Sequence, residues 1–355
     1  MKILITGVCG FVGSALAECL LERSDGIRIV GIDNLMRPGS ESNRIRVEQL
    51  GVQFIHGDLR SASDVSALPS CDWVIDAAAN PSVLAGLSGA GSSRRLFEHN
   101  LAAIGNVLEY CKEHKAGLLL LSSSRVYSIP ALVAVPLCVR DGAFDIAPDG
   151  SLPPGLTAEG IGVEFSTAAP VSLYGATKLA SEIMALEYGS AFDFPVWVTR
   201  CGVLAGAGQF GTPAQGIFSF WVNAHLRRRP LRYIGFNGTG HQTRDAFHPR
   251  DLAALLIAQM ETTRPGGERI YTAGGGSANT MSLAQLTAWC DQRFGSHPPT
   301  IYTEPRPYDI PWVVMDNSRA TSDFGWRIEM SLPAILEGIA EHAHHHPDWL
   351  EVSNA

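Results

Sequence analysis

Residues 2 to 13 read Lys-Ile-Leu-Ile-Thr-Gly-Val-Cys-Gly-Phe-Val-Gly. The apolar run from position 2 to 6 enters glycines at 7, 10 and 13, and Phe11 to Leu21 then follows a helical period. That pattern predicts a strand, a tight glycine turn and a helix. Glycines at such a turn let backbone N–H groups approach a pyrophosphate at the helix N-terminus. Gly7, Gly10, Phe11, Val12 and Gly13 are therefore candidate cofactor-binding residues. A glycine triplet alone is a weak signal. It gains weight from a second apolar run, Ile27 to Ile32, which ends at Asp33 with Asn34 behind it. A carboxylate about 20 residues past the glycines accepts the ribose hydroxyls of NAD. It also repels a 2′-phosphate, so NAD is expected over NADP, although Arg37 lies close enough to work against that preference.

Working outward, the same alternation continues. Val52 to Ile55 predicts a third strand ending at Asp58 and Leu59, and Trp73 to Ile75 a fourth ending at Ala77, Ala78 and Ala79. Ligands bind at the carboxyl ends of such strands. Asp58 is placed to accept from an adenine amino group, and the alanines to let backbone pass close to the cofactor. Residues 92 to 114 predict one long helix. Leu96, Asn100, Ala103, Ile104, Val107, Leu108 and Cys111 share its buried face, and the amide of Asn100, a further candidate for the cofactor, must find partners there. Gly117 to Leu121 is a fifth strand running into Ser122-Ser123-Ser124-Arg125-Val126-Tyr127, and Val196 to Thr199 a sixth. Residues 128 to 170, rich in Pro, Gly and Asp, predict a long loop lying over the site as a partial cover. Asp141, Asp145 and Glu164 within it are expected to be solvated. Helices are expected over 217 to 228, 250 to 261 and 331 to 346, and a strand over 231 to 234. The fold class is α/β: a Rossmann-type doubly wound parallel sheet with a smaller, mixed α/β C-terminal substrate domain. The first domain is set at 1 to 205, with a return of 245 to 265, and the second at 206 to 355.

Ser172-Leu-Tyr-Gly-Ala-Thr-Lys178 places a tyrosine and a lysine four apart in a helical pattern. Positions i and i+4 stack on one helix face, so Tyr174 and Lys178 point into one site. A free phenol is a poor base at neutral pH, and a neighbouring cation favours the phenolate. The same spacing also occurs on surface helices; a cofactor site around the pair is what makes it chemical.

Composition narrows the classes. The 355 residues are 46% hydrophobic and 17% charged, with a formal net charge of −8. That balance suits a globular protein and argues against a nucleic-acid surface. No apolar run reaches the roughly 18 residues of a membrane span, and no leader is recognisable, so a cytoplasmic protein is expected. The seven cysteines are scattered without a Cys-x-x-Cys pair, as in reduced thiols, and no metal is expected. His342, His344, His345 and His346 are read as a solvated helix end.

The glycine turn, Asp33, the Ser-Ser-Ser-Arg-Val-Tyr strand end and Tyr174-x-x-x-Lys178 together resemble the extended short-chain dehydrogenases of the nucleotide-sugar epimerase and dehydratase group. The resemblance covers most of the chain. It implies Ser123, four residues before Tyr127, as the catalytic serine beside Tyr174 and Lys178. It also implies that Ser124, Arg125, Gln209, Arg244, Arg306 and Asp309 face a nucleotide-sugar substrate, and that the helices at 92 to 114 and 172 to 190 pair in a homodimer or a tetramer. The chain departs from the group at Leu204-Ala205, where Tyr-Gly is usual, and carries Ser124 and Arg125 where dehydratase relatives carry Asp-Glu. Arginine is no practical base, so epimerisation is favoured over elimination. The basic residue before Val126-Tyr127 and the Gly-Gln-Phe run at 208 to 210 resemble the CDP-paratose 2-epimerase group. A UDP-sugar 4-epimerase is the alternative; a dehydratase, a dehydrogenase or a silent NAD-sensing regulator fits less well.

Overall fold

The computed structural model describes residues 1–24, 26–87, 91–262 and 267–355. Seven parallel strands form the central sheet: β1 (Lys2–Thr6), β2 (Arg28–Asp33), β3 (Gln53–His56), β4 (Trp73–Asp76), β5 (Gly117–Ser123), β6 (Val196–Cys201) and β7 (Ile270–Ala273). Their order is β7-β6-β5-β4-β1-β2-β3, so the winding reverses between β1 and β4, where such sheets open a crevice for ligands. Ile3 and Ile5 face one core with α1 (Phe11–Arg23), while Leu4, Val30 and Ile32 face another with α2 (Ala103–His114). Helices on both faces explain why these strands read as continuous apolar runs rather than alternating ones. The edge strand β7 was not visible in the sequence. Its four residues are too few to show a period, and they are placed by pairing Val198 with Ile270.

The predicted helix at 92 to 114 is helical throughout but not uniform. Ser93–Phe97 and Ala103–His114 are α-helical, and Glu98–Ala102 between them is a π-helical turn. The predicted face is nonetheless buried, from Leu96 at 1% to Cys111 at 0% exposure.

The region 128 to 170 departs from expectation. It is folded, with a helix at Ile129–Val133, a hairpin of Leu137–Arg140 with Ala143–Ile146, and a smaller one of Leu156–Thr157 with Gly160–Ile161. The first hairpin docks on the second domain: Phe144 N–H donates to the His241 carbonyl at 2.9 Å, and Thr243 Oγ1 to the Phe144 carbonyl at 2.7 Å. The Ser282 hydroxyl and the Gln285 amide close on the Gly142 and Asp141 carbonyls. The region therefore straps the two domains together and does not cover the site. Asp145 pairs with Arg140 and Glu164 with Arg319 at the surface.

The second domain is built on Val203–Leu204, Thr243–Phe247, Thr280–Ser282 and Trp312–Val313. Helices Ile217–Leu226, Leu283–Phe294 and Leu332–His345 pack around Phe218, Trp221, Leu286 and Ile339. From Thr243–Phe247 the chain returns to the first domain: α4 (Pro249–Glu261), following α3 (Ser172–Phe192), lays Leu252, Leu255 and Leu256 into the core beneath Ile3 and Ile5. Residues 263 to 265 of the expected return lie outside the described residues. His344, His345 and His346 are exposed, and His342 stacks on His346 at 4.0 Å and packs against Trp349. Among the described residues there is no cluster of three His, Cys, Asp or Glu able to hold a metal, and no helix long and apolar enough to cross a membrane.

One ion pair fixes α3 to the sheet. Glu182 and Arg200 are 1% and 6% exposed. Arg200 Nε lies 3.1 and 3.2 Å from the two carboxylate oxygens and Nη2 lies 2.7 Å from Oε2. The Ser122 hydroxyl also donates to Glu182. Arg200 Nη1 donates to the Val163 carbonyl at 3.0 Å, and its head lies 5.2 Å from the Tyr127 ring. Removing one partner of such a pair leaves a buried charge uncompensated. Arg200→Met is expected to cost about 3–5 kcal/mol in urea unfolding, and Glu182→Leu added to it to recover most of that loss.

Candidate active site

The first turn shows why the glycines are needed. Gly7 has φ of +64°, and a Cβ there would lie 2.8 Å from the Ala78 Cα. A Cβ on Gly13 would lie 2.3 Å from the Gly7 carbonyl oxygen. Both positions bring backbone too close together for any side chain. Thr6 adds a brace: its hydroxyl donates to Asp76 at 2.6 Å and accepts from Ala78 N–H at 3.2 Å. The glycine turn and the Ala77–Ala79 strand end are thus locked side by side.

Asp33 closes the other side. Its carboxylate accepts from Leu35 N–H at 2.8 Å and Cys9 N–H at 3.0 Å. Burial pushes its carboxyl up, and these two donors oppose that shift. Asp58 is held by Arg60 and by the Asn34 amide at 3.1 Å, and the Arg60 guanidinium keeps its carboxyl well below the usual range. Arg37 does not turn toward Asp33. It donates to the Phe210 carbonyl at 2.9 Å and to Gln215 at 3.1 Å, joining the cofactor side to the loop of the second domain.

A cavity of about 910 Å³ begins at Gly7, Gly10, Phe11, Val12 and Gly13 and passes Asp33, Asn34, Asp58, Leu59 and Ala77–Ala79. It continues past Ser123, Ser124, Arg125, Tyr174 and Lys178 to Gln209, Arg244, Arg306 and Asp309. Tyr174 and Lys178 are buried, at 8% and 5% exposure. Lys178 Nζ donates to the Leu121 carbonyl at 2.9 Å, which ties its ammonium to β5 just before the serines. Ser123 Oγ accepts from Arg125 N–H at 3.2 Å. Arg244 lies 3.8 Å from Asp309 and donates to the Ile310 carbonyl at 2.7 Å. The Gln209 amide nitrogen donates to the Leu204 carbonyl at 2.7 Å, while its oxygen is buried without a partner.

Asn100 is the exception among the candidates, since it does not line this cavity. Its side chain accepts from Asn80 N–H at 2.7 Å and donates to the Asn80 carbonyl at 3.0 Å and to Thr177. Asn80, absent from the sequence reading, lines the cavity in its place. Its position directly after Ala79 was the available signal. Residues 128 to 170 contribute nothing to the lining. Phe218 and Trp221 of the second domain do line it, from the helix expected over 217 to 228.

A glycine turn on a Rossmann sheet, an acid at the end of β2 and a Ser–Tyr–Lys set in the same cavity define an extended short-chain dehydrogenase. The model of the NAD dependent epimerase/dehydratase family matches residues 3–274, and the chain belongs to that family. CDP-paratose 2-epimerase of Salmonella typhi is 27% identical, over 93% of this chain and 96% of that protein. UDP-glucose 4-epimerase of Corynebacterium glutamicum is 25% identical, over 93% and 91%. The crystal structure of UDP-glucuronic acid 4-epimerase from Bacillus cereus in complex with UDP-glucuronic acid and NAD superposes with a TM-score of 0.73 at 23% identity, covering 97% of this chain and 99% of that one. The cofactor is NAD, and the enzyme class is that of the isomerases acting on nucleotide sugars.

The close approach of Gly7 to Ala78 and the carboxylate of Asp33 fit a bound dinucleotide. Losing one hydrogen bond to a charged group costs about 1.5–3 kcal/mol. Asp33→Asn is therefore expected to weaken NAD binding about tenfold to a hundredfold by calorimetry.

Proposed function

We propose that the protein inverts one carbon, C2, of a nucleotide-linked hexose by transient oxidation to a keto sugar and reduction from the opposite face. What carries this reading is one cavity that joins the NAD end to Ser123, Tyr174 and Lys178 and then to an arginine-lined end. NAD supplies the hydride acceptor and donor when bound. Tyr174 takes the proton of the reacting hydroxyl and later returns one. Lys178 supplies the positive charge that favours a phenolate able to take that proton and would hold the nicotinamide ribose. Ser123 donates to the sugar oxygen and orients it.

Glu182, near the strand end, does not line the cavity and is occupied by Arg200 and Ser122. Asp33, Asp58 and Asp309 are the carboxylates that line the cavity among the described residues, and the first two belong to the cofactor end. This supports epimerisation over dehydration. The relative that epimerises CDP-paratose at C2 supports the choice of carbon, as does Arg125 before Val126-Tyr127. A UDP-sugar 4-epimerase is the second reading, supported by the UDP-glucose 4-epimerase relative.

The protein is expected to pair through α3 and the helix before α2. Leu173, Ile183, Met184 and Phe97 are large apolar side chains 42–57% exposed on these helices, an unusual cost for a monomer's surface. Light scattering should give a dimer or tetramer, and a monomer at micromolar concentration would remove this assignment.

Tyr174→Phe is expected to keep NAD and lower turnover by about a hundredfold or more, the scale of a lost general base. Incubation with CDP-, UDP-, GDP- and dTDP-hexoses in deuterated water should show inversion at C2 by NMR without deuterium at carbon. Stoichiometric build-up of NADH would instead identify a dehydrogenase.

A further inference from the structure

Arg125 stands at the junction of the two ends of the cavity. Its backbone N–H is bonded to Ser123 Oγ at 3.2 Å. Its carbonyl lies under Gly175, the residue after Tyr174, where a Cβ would come within 2.2 Å of that oxygen. The backbone of Arg125 is therefore fixed against both candidate catalytic elements. Its side chain runs the other way, and Nη1 donates to the Tyr308 carbonyl at 3.1 Å. It thereby reaches the loop that carries Arg306 and Asp309, beside Arg244.

Charge at this end is unbalanced. The heads of Arg125, Arg244 and Arg306 lie within electrostatic reach of one another, with Asp309 among them on the lining and Asp245 acting on Arg244 from behind it. Arg232, on the same lining, lies over the Tyr302 ring at 5.1 Å. Burial and the Arg244 charge pull Arg125 down to about 10, so it stays protonated at neutral pH. Arg125, Arg244, Arg306 and Arg232 on this lining outnumber Asp309, the carboxylate there, and Asp245 behind Arg244. The diphosphate of a nucleotide sugar carries one negative charge on each phosphate, which suits this excess of positive charge.

The position of Arg125 then bears on which carbon reacts. The sugar-proximal phosphate hangs from the anomeric carbon. C2 is bonded to that carbon, whereas C4 lies across the ring. With the Arg125 backbone fixed beside Ser123, a phosphate on its guanidinium holds the anomeric end of the sugar within one side-chain length of Ser123 and Tyr174. We propose that Arg125 grips the sugar-proximal phosphate and thereby presents C2 of the hexose, rather than C4, to Ser123 and Tyr174. This rests on the epimerase reading above and adds the residue that selects the carbon.

The binding half of the test needs no turnover. Calorimetry on the NAD-loaded protein would compare CDP with CMP and UDP with UMP, for the unsubstituted chain, Arg125→Met and Arg125→Lys. Arg125→Met is expected to weaken the diphosphate about tenfold to a hundredfold and leave the monophosphate within about twofold, the scale of one charged hydrogen-bond partner. Arg125→Lys keeps the charge without the fork and should recover part of the loss. Thermal unfolding of both variants with NAD separates this from misfolding. Equal weakening of mono- and diphosphate, or none of either, overturns the grip. Weakening confined to a UDP-uronate relative to UDP-hexose assigns Arg125 to the sugar and overturns it too. If no nucleotide binds the unsubstituted protein, both the grip and the epimerase reading fall. If the grip holds but NMR shows inversion at C4, the selection of C2 alone is overturned.

Discussion

The Glu182–Arg200 pair is the constraint on which the active site depends. α3 carries Tyr174, Lys178 and Glu182 at successive intervals of four, so one helix face holds the proposed proton-transfer pair and its anchor. Arg200 comes from β6 and Ser122 from β5, and both bond the same carboxylate. The helix is thereby pinned to the two strands beside Ser123. Each ion is deeply buried, so the desolvation cost is offset only by the near-complete set of partners around it. Lys178 repeats the attachment one turn earlier through the Leu121 carbonyl. Catalysis of proton transfer requires sub-ångström placement, and a helix held at two points to one sheet supplies that rigidity.

The rest of the cavity follows from the reversal of winding between β1 and β4. The glycine turn and Ala77–Ala79 lie on either side of that crevice, and the Gly7 to Ala78 contact is what brings them together. The second domain closes over the carboxyl ends of β5 and β6. Arg37 crosses from the β2 end to the Phe210 carbonyl, and the 137–146 hairpin fastens the domains on a different side. The cavity is thus a fixed seam between two bodies that are tied more than once.

Short-range regularities were legible. The apolar runs, the glycine spacing and the i, i+4 pair each rest on geometry shared by neighbouring residues. The strands β1 to β6 fall close to where the alternation placed them, and the shared face of residues 96 to 111 is buried. The failures have a common cause. The strand β7 and the hairpins within 128 to 170 are too short to show a period, and they are held by partners distant in sequence. Asn100 was correctly placed on a buried face, but which of two nearby amides meets the cavity depends on a π turn and on the path of Asn80, neither of which has a local marker.

By itself the sequence determined the doubly wound class, the NAD-type turn, the acid at Asp33 and the i, i+4 placement of Tyr174 and Lys178. Each is a requirement on backbone angle, spacing or functional group that neighbouring residues express. The tertiary structure alone decided that the long region is a strap and not a lid, that Glu182 is sequestered by Arg200, and that Arg125 joins Arg244 and Arg306 around Asp309. Those outcomes depend on which distant surfaces pack together, and on the balance of buried charge that results, which no local pattern records.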